Sequence, residues 1–429
     1  MKLWTPLAAL GGAIAVAACG ENLDSGPVCP ALCPGPIVEL RETVIEPVVL
    51  DTVITGLPPV GLETHLLVAD RPGIVVAYGV VRFDTLFTTY IDRSDDDVDT
   101  LPVTALDSAF LRLKFDTAST IATQPLLLEL FDIGAAAGDT VTSEIVGIVE
   151  GSAPFADTTI APTALGDSLR FAIPKEFLQG KVTEAAADPD AGLRLAIRVT
   201  SADPAQLRVI ATNLGVNAPL LVYDPVPSDT SIAPFSIAPY SKTPAEPPGL
   251  ASRLRDFTVF ALSTPPPGAA ALAVGGLPGN RAYFHFEIPS ELIDSTTIVR
   301  ATLILHPTGE SVGTDSLSII PQIGTASPVI TDPRRQTLLA VDVTGLPYLV
   351  DTLRVEPGSM DSATVDIVNL VPTWRRFAVD TLPRVLVLRS AAEGSLPEQV
   401  VFHSAEAADP ALRPRLRIRY IPAVDFGLP

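Results

Sequence analysis

Gly309, Ser311 and Gly313 form a G-x-S-x-G run, the one place in the 429-residue sequence where spacing alone suggests a serine nucleophile. Such an elbow needs a strand before it and a helix after it, so that the serine is held at a helix N-terminus. A strand is expected over 302–306, but 316–322 reads as a second strand, and two glycines near a serine suit a hairpin loop. The four histidines, His65, His285, His306 and His403, show no pair at metal-ligand spacing, and His285 and His403 fall inside expected strands. Asp95, Asp97 and Asp99 alternate within the acidic run 92–99 and could wrap a calcium ion. The pattern lacks the turn glycine and the later bidentate glutamate of a calcium loop, so a solvated acidic loop is expected. Trp374 and Arg375, followed by Arg376 and Phe377, are the ligand-binding candidates, because an aromatic face can stack on a pyranose ring. A tryptophan closing an apolar run also serves as a core plug, and that is the role expected here. Carboxylates are abundant, yet nothing singles out a glycosidase pair. No catalytic residue, metal or cofactor is expected.

The elements that would hold these residues are almost all strands. From Val38 onward, short apolar runs recur about every ten residues between Gly, Pro, Asp and Ser clusters, the rhythm of antiparallel β-sandwiches. The 42 prolines would break helices but suit turns and strand edges. The best helix candidate is 176–187. Seven prolines between Pro225 and Pro248 interrupt the rhythm and mark a linker, after which the strand pattern restarts. The predicted fold is all-β: two tandem antiparallel, jelly-roll-like sandwiches, a reading that the length also suits. Residues 1–235 carry 13 basic and 30 acidic side chains, and 236–429 carry 16 and 19, an imbalance that fits two separate domains. The net charge of −20 argues against a nucleic-acid partner.

The start of the chain reads as an address. Lys2 precedes a short apolar stretch, Leu3–Ala15, that is too short to span a bilayer, and Val16, Ala17 and Ala18 lead into Cys19. This resembles the bacterial lipobox, in which the cysteine is lipidated and becomes the new N-terminus; the alternative is an ordinary signal peptide with an incidental cysteine. Gly20 follows, where an aspartate would favour the inner membrane, so an outer-membrane lipoprotein, periplasm-facing or on the cell surface, is expected. Cys29 and Cys33 are the remaining cysteines. In an exported chain a local disulfide between them is expected, since no further His or Cys lies near enough for zinc.

A family resemblance appears towards the end of the chain. Phe402, Ser404 and Glu406, then Pro414, Leu416, Ile418 and Tyr420, fall on the closing pattern of the DNRLRE family of bacterial surface domains. Leu272–Gly275, Arg281–Pro289, Arg300–Leu305 and Val365–Trp374 resemble the family's earlier motifs in order, so the resemblance covers about 256–420. It implies a β-sandwich related to carbohydrate-binding modules. The first half repeats the order faintly: 66–73 aligns without gaps on 272–279, and Leu220–Tyr223 falls near Leu416–Tyr420. Phe171–Glu176 looks most like Phe286–Glu291, but chain order pairs it with Val365–Pro372, and order is preferred. The expected organisation is a lipoprotein signal over 1–19, a Pro/Gly-rich tether over 20–37 and an N-terminal sandwich over 38–224. A Pro-rich linker over 225–250, a DNRLRE-like sandwich over 251–422 and a tail over 423–429 complete it. The function expected is non-catalytic: a lipid-anchored surface protein whose modules bind polysaccharide or adhere, with a structural spacer as the alternative and a secreted hydrolase as the third.

Overall fold

The computed structural model describes residues 39–422 apart from 93–98, 135–141, 216–217, 227–232, 243–253, 265–267, 269–270, 326–336, 340–349 and 377–384. Strands follow one another as β1 (Arg41–Ile45), β2 (Pro47–Leu57), β3 (His65–Arg71), β4 (Val75–Phe83), β5 (Thr89–Asp92), β6 (Asp99–Pro102) and β7 (Leu106–Lys114). Next come β8 (Leu126–Asp132), β9 (Ala156–Ile160), β10 (Ser168–Ala172), β11 (Leu193–Thr200), β12 (Ala205–Ile210), β13 (Leu220–Pro225) and β14 (Phe235–Ile237). The second half holds β15 (Asp256–Leu262), β16 (Ala271–Gly275), β17 (Gly279–Phe286), β18 (Thr296–Leu305), β19 (Pro307–Val312) and β20 (Leu317–Thr325). It ends with β21 (Thr337–Leu339), β22 (Leu353–Val355), β23 (Ala363–Asp366), β24 (Val385–Ser390), β25 (Gln399–His403) and β26 (Arg415–Pro422). The fold is all-β, with every named strand pair antiparallel. The expected helix forms over Lys175–Ala187 and turns Leu178 and Val182 into the core.

The strands make two sandwiches, each a four-stranded sheet packed on a larger one. In the first, the order β10-β7-β13-β14 faces β12-β3-β4-β11-β8-β9. Alternate side chains such as Leu111, Leu113, Leu195 and Ile197 fill the space between the two sheets. In the second, β23-β18-β26-β1 faces β19-β25-β16-β17-β24-β20-β21, around Phe284, Phe286, Leu303, Leu386 and Phe402. Apart from β19 beside β25 and β22 beside β20, which the second sandwich adds, the two orders match position for position. β10 pairs β7 as β23 pairs β18, so chain order, not the local likeness of Phe171–Glu176 to Phe286–Glu291, identifies the equivalent segments.

The domain boundaries differ from those expected. β1 and β2 precede the first sandwich in sequence but belong to the second: Ile45 pairs Leu416 on β26, and Val53 pairs Ala282 on β17. β14 and β15 follow the first sandwich and stay with it: Tyr223 pairs Phe235, and Phe257 pairs Val80 on β4. The first sandwich therefore spans 65–262, and the second combines 41–57 with 271–422. The linker expected over 225–250 is partly laid on the first sandwich, where Phe235–Ile237 is a strand and Tyr240 bridges Phe83. Alternating side chains mark a segment as a strand but do not say which sheet edge will take it, so the crossing was hidden in the sequence.

The slots that receive these segments are alike. β3 and β4 pair only from Ala69–Ala77 to Arg71–Val75, then part, and β15 takes the vacated edge of β4. β16 and β17 pair only at Gly275–Asn280, then part, and β2 takes the vacated edge of β17. Each inserted strand satisfies backbone donors and acceptors that the diverging hairpin leaves open.

Candidate functional site

The sandwiches meet at a polar cleft of 670 Å³. One wall is the turn Ala118–Ile121 with Gln206 and Arg208 of β12; the other includes Asp315–Ser318, Arg354 and Glu356, and Glu398 beside β25. β12 explains how polar groups come to stand there. Gln206 and Arg208 are two residues apart and share a face, while Leu207 and Val209 point into the core.

Arg208 ties this floor together. Its Nη1 donates to Asp116 Oδ2 at 2.6 Å and to Ser119 Oγ at 3.3 Å. Its Nη2 donates to Ser395 Oγ of the second sandwich at 3.2 Å and to His65 Nδ1 at 3.1 Å. A guanidinium only donates, so His65 Nδ1 accepts and the ring carries its proton on Nε2, 3.7 Å from Asp116 Oδ2. Burial and Arg208 both lower the His65 pKa, which keeps the ring neutral, while Asp116 opposes them. Gln206 spans the floor, donating to the Ser119 carbonyl at 3.1 Å and accepting from Arg71 Nη1 at 2.9 Å.

Glu398 faces this network from the other sandwich. Its Oε1 lies 3.8 Å from Arg71 Nη1, and its Oε2 has no hydrogen-bond partner among the described residues. Burial raises the carboxyl pKa, with Asp315 adding to the effect and Arg71 and Arg208 opposing it. The cleft therefore offers hydrogen-bond donors and acceptors side by side. Its lining holds no aromatic ring among the described residues, so it can grip hydroxyls but not stack a sugar face.

The sequence candidates lie elsewhere. Trp374 is 3 % exposed and sits in the second core with Val365, Ile367 and Leu370, so its ring is not available as a platform. Arg375 donates to the carbonyls of Ile293 at 2.6 Å and Thr296 at 2.8 Å, clamping the helix Val371–Arg376 onto its neighbour. Neither residue is brought to the cleft. Ser311 is on β19, and its Oγ accepts from the Gly358 N–H at 3.1 Å. A turn leads from it into β20, so the helix that a nucleophile elbow requires is not there. Gly313 nevertheless packs against Glu398: with φ of 88°, it lies where an added Cβ would come 3.0 Å from Glu398 Cγ. His306 joins β18 to β19, with a pKa lowered by burial and by Arg415 and His403. Among the described residues no three His, Cys, Asp or Glu side chains could hold a metal. Asp92 and Asp99 close the β5–β6 hairpin, while Asp95 and Asp97 lie outside the described residues, as do Cys19, Cys29 and Cys33.

Gln206, Arg208 and Glu398 were missed because no motif marks them. The available signal was two polar residues at i and i+2 within an otherwise apolar strand. No family model matches the chain, and no curated protein matches it. Among solved structures, the infectious bursal disease virus Gt strain shares 11 % identity, covering 91 % of this chain and 78 % of that one, with a TM-score of 0.15. The infectious bursal disease virus VP2 subviral particle also shares 11 %, covering 89 % and 76 %, with a TM-score of 0.12. Scores this small carry no argument about function.

Proposed function

We propose that the protein is a non-catalytic, lipid-anchored bacterial surface protein that binds glycans in the cleft between its two sandwiches. The observation that carries this reading is the cleft itself. Its volume falls within the range of about 300–1,000 Å³ typical of small-ligand sites, and Gln206, Arg354, Glu356 and Glu398 supply the paired donors and acceptors that sugar hydroxyls require. Juxtaposed cations and carboxylates suit a neutral polyhydroxylated ligand better than a strongly charged one. The resemblance of 256–420 to DNRLRE domains supports the glycan class, and the lipobox-like Val16–Cys19 supports the anchor and an outer-membrane address. Anchoring stable enough for a surface protein needs more than one acyl chain on Cys19.

A second reading, a structural spacer of the envelope, is favoured by the crossing of β1 and β2 into the distant sandwich, which ties the two units together. A glycan array followed by titration calorimetry separates the two. Arg354 and Glu356 are exposed, so Arg354→Ala and Glu356→Gln leave folding intact. Binding of a neutral oligosaccharide that weakens about tenfold or more in these variants supports the cleft, since a lost charged hydrogen bond is worth about 1.5–3 kcal/mol. No glycan bound, or binding indifferent to both substitutions, favours the spacer.

A further inference from the structure

We propose that β1–β2 is an exchangeable arm whose partner is a second copy of this chain: the arm of one molecule completes the second sandwich of another. This goes beyond glycan binding and does not rest on it. The second sandwich is incomplete without the arm. Removing it uncovers the edges of β17 and β26 together with the seat of Leu57, which is 2 % exposed.

The occupant of that seat is specified by sequence. Glu42 meets Arg419 at 2.7 Å and Arg417 at 3.7 Å. Thr55 donates to Asn280 Oδ1 at 2.7 Å, and Asp51 accepts from the Ala405 N–H. An unrelated strand could supply backbone pairing but not these contacts, whereas the same arm from another copy supplies all of them. An exchanged pair therefore loses no arm contact, and only concentration and the hinge decide between closed and exchanged forms.

The arm is also held more lightly than its counterpart. Between Asp51 and Thr55 every β2 side chain is half-buried, and on β1 only Ile45 is buried. In β15 the four residues Asp256–Val259 are all buried. The first arm reaches the described fold through one connection, residues 58–64, whereas β14–β15 is joined to folded chain at both ends. Seven residues, drawn out, span up to about 25 Å, enough to carry the arm to an adjacent molecule.

The test uses the full chain with Cys19, Cys29 and Cys33 changed to Ser, and with Val53→Cys and Ala282→Cys, which face each other across β2 and β17. Oxidation links the pair within one molecule if the arm is closed, and between two if it is exchanged. Phe260→Cys with Ala77→Cys reports on β15 in the same way. The expected result is a covalent dimer from the first pair, its yield rising about tenfold per tenfold increase in concentration at low occupancy, while the second pair stays intramolecular. The unaltered chain, mixed as isotopically light and heavy copies at high concentration, should give mixed-mass dimers by native mass spectrometry. Monomer at every concentration in that mixture overturns the proposal, whether or not the cysteine variants fold. So does a dimer whose Val53–Ala282 positions link only within one chain, or a β15 pair that links between copies equally well.

Discussion

The two sandwiches share a strand order and differ in how each is completed. The first takes its last two strands, β14 and β15, from the chain that directly follows it; the second takes β1 and β2 from some 200 residues away in sequence. The fastening differs too. At β15, Asp256 accepts from Thr212 N–H and Oγ1 at 2.6 and 2.7 Å, Thr258 Oγ1 accepts from the Leu67 N–H at 3.0 Å, and the Arg82 guanidinium lies 5.3 Å from the Phe257 ring centroid. At β2 the corresponding positions are half-buried, with side-chain hydrogen bonds at Asp51 in mid-strand and at Thr55. The same slot is thus filled once by a tightly buried strand and once by a strand that mainly satisfies the backbone. Local connection allows the first sandwich to close early, while the second must wait for a long-range partner.

The largest test of this contrast is truncation. A chain beginning at Pro58 keeps every strand of the first sandwich and removes two from the second. Chemical denaturation should retain the cooperative transition of the first unit and abolish or greatly weaken that of the second, and hydrogen exchange should localise the loss to β17, β24 and β26. A fragment spanning 249–429 should fare worse, since it also carries β15 away from β4. If that fragment unfolds in one cooperative step of ordinary steepness, the second sandwich does not depend on β1 and β2.

The next effect is smaller and confined to one unit. Trp374 plugs the second core from the helix Val371–Arg376; at the equivalent place the first sandwich buries Leu178 and Val182 from Lys175–Ala187. Trp374→Ala should cost about 3–5 kcal/mol in the second transition and leave the first unmoved. Trp374→Phe should cost far less, because it keeps most of the apolar volume and removes an indole N–H that has no partner among the described residues. If Trp374→Ala shifts both transitions equally, the sandwiches unfold as one body.

The amino-acid pattern revealed the class of fold well and its wiring poorly. Period-two runs such as Arg415–Tyr420 announce a strand with one buried face, and Leu416 and Ile418 are buried as that alternation requires. The run Glu176–Ala187 announces its helix, which begins one residue earlier. Nothing in Pro47–Leu57 names Gly279–Phe286 as its partner, because backbone pairing is blind to sequence distance and the side-chain contacts that select it are few. The cleft was illegible for a related reason. It is assembled from Gln206 and Arg208 on one sandwich and Glu398 on the other, residues that only the docking of two domains brings together. The tryptophan was legible as a core residue because Val365, Ile367 and Val371 lead into it as one apolar face.

The smallest expected effect lies where the two arms meet. Glu63, in the connection after β2, is 6 % exposed and faces Asp256 of β15. Burial pushes its carboxyl up to about 8, with Asp256 adding to the rise, while the Gly61 N–H, donating at 2.6 Å, and that of Thr258 act against it. The folded pKa is raised above the unfolded value of about 4.3, so between these limits the folded state binds the extra proton. The stability associated with that proton is therefore fully present below pH 4 and is lost as pH rises through 8. Glu63→Gln removes the ionisation while keeping an acceptor for the Gly61 N–H. It should flatten the pH dependence between 5 and 9 and leave the variant about 1–3 kcal/mol more stable than the natural chain at pH 9, a range discounted for relaxation around the charged form. Denaturant midpoints for the two chains at pH 5, 7 and 9 measure this. Parallel profiles for the two would mean that Glu63 is ionised and solvated in the folded protein, and that the connection after β2 stands clear of β15 instead of packing against it.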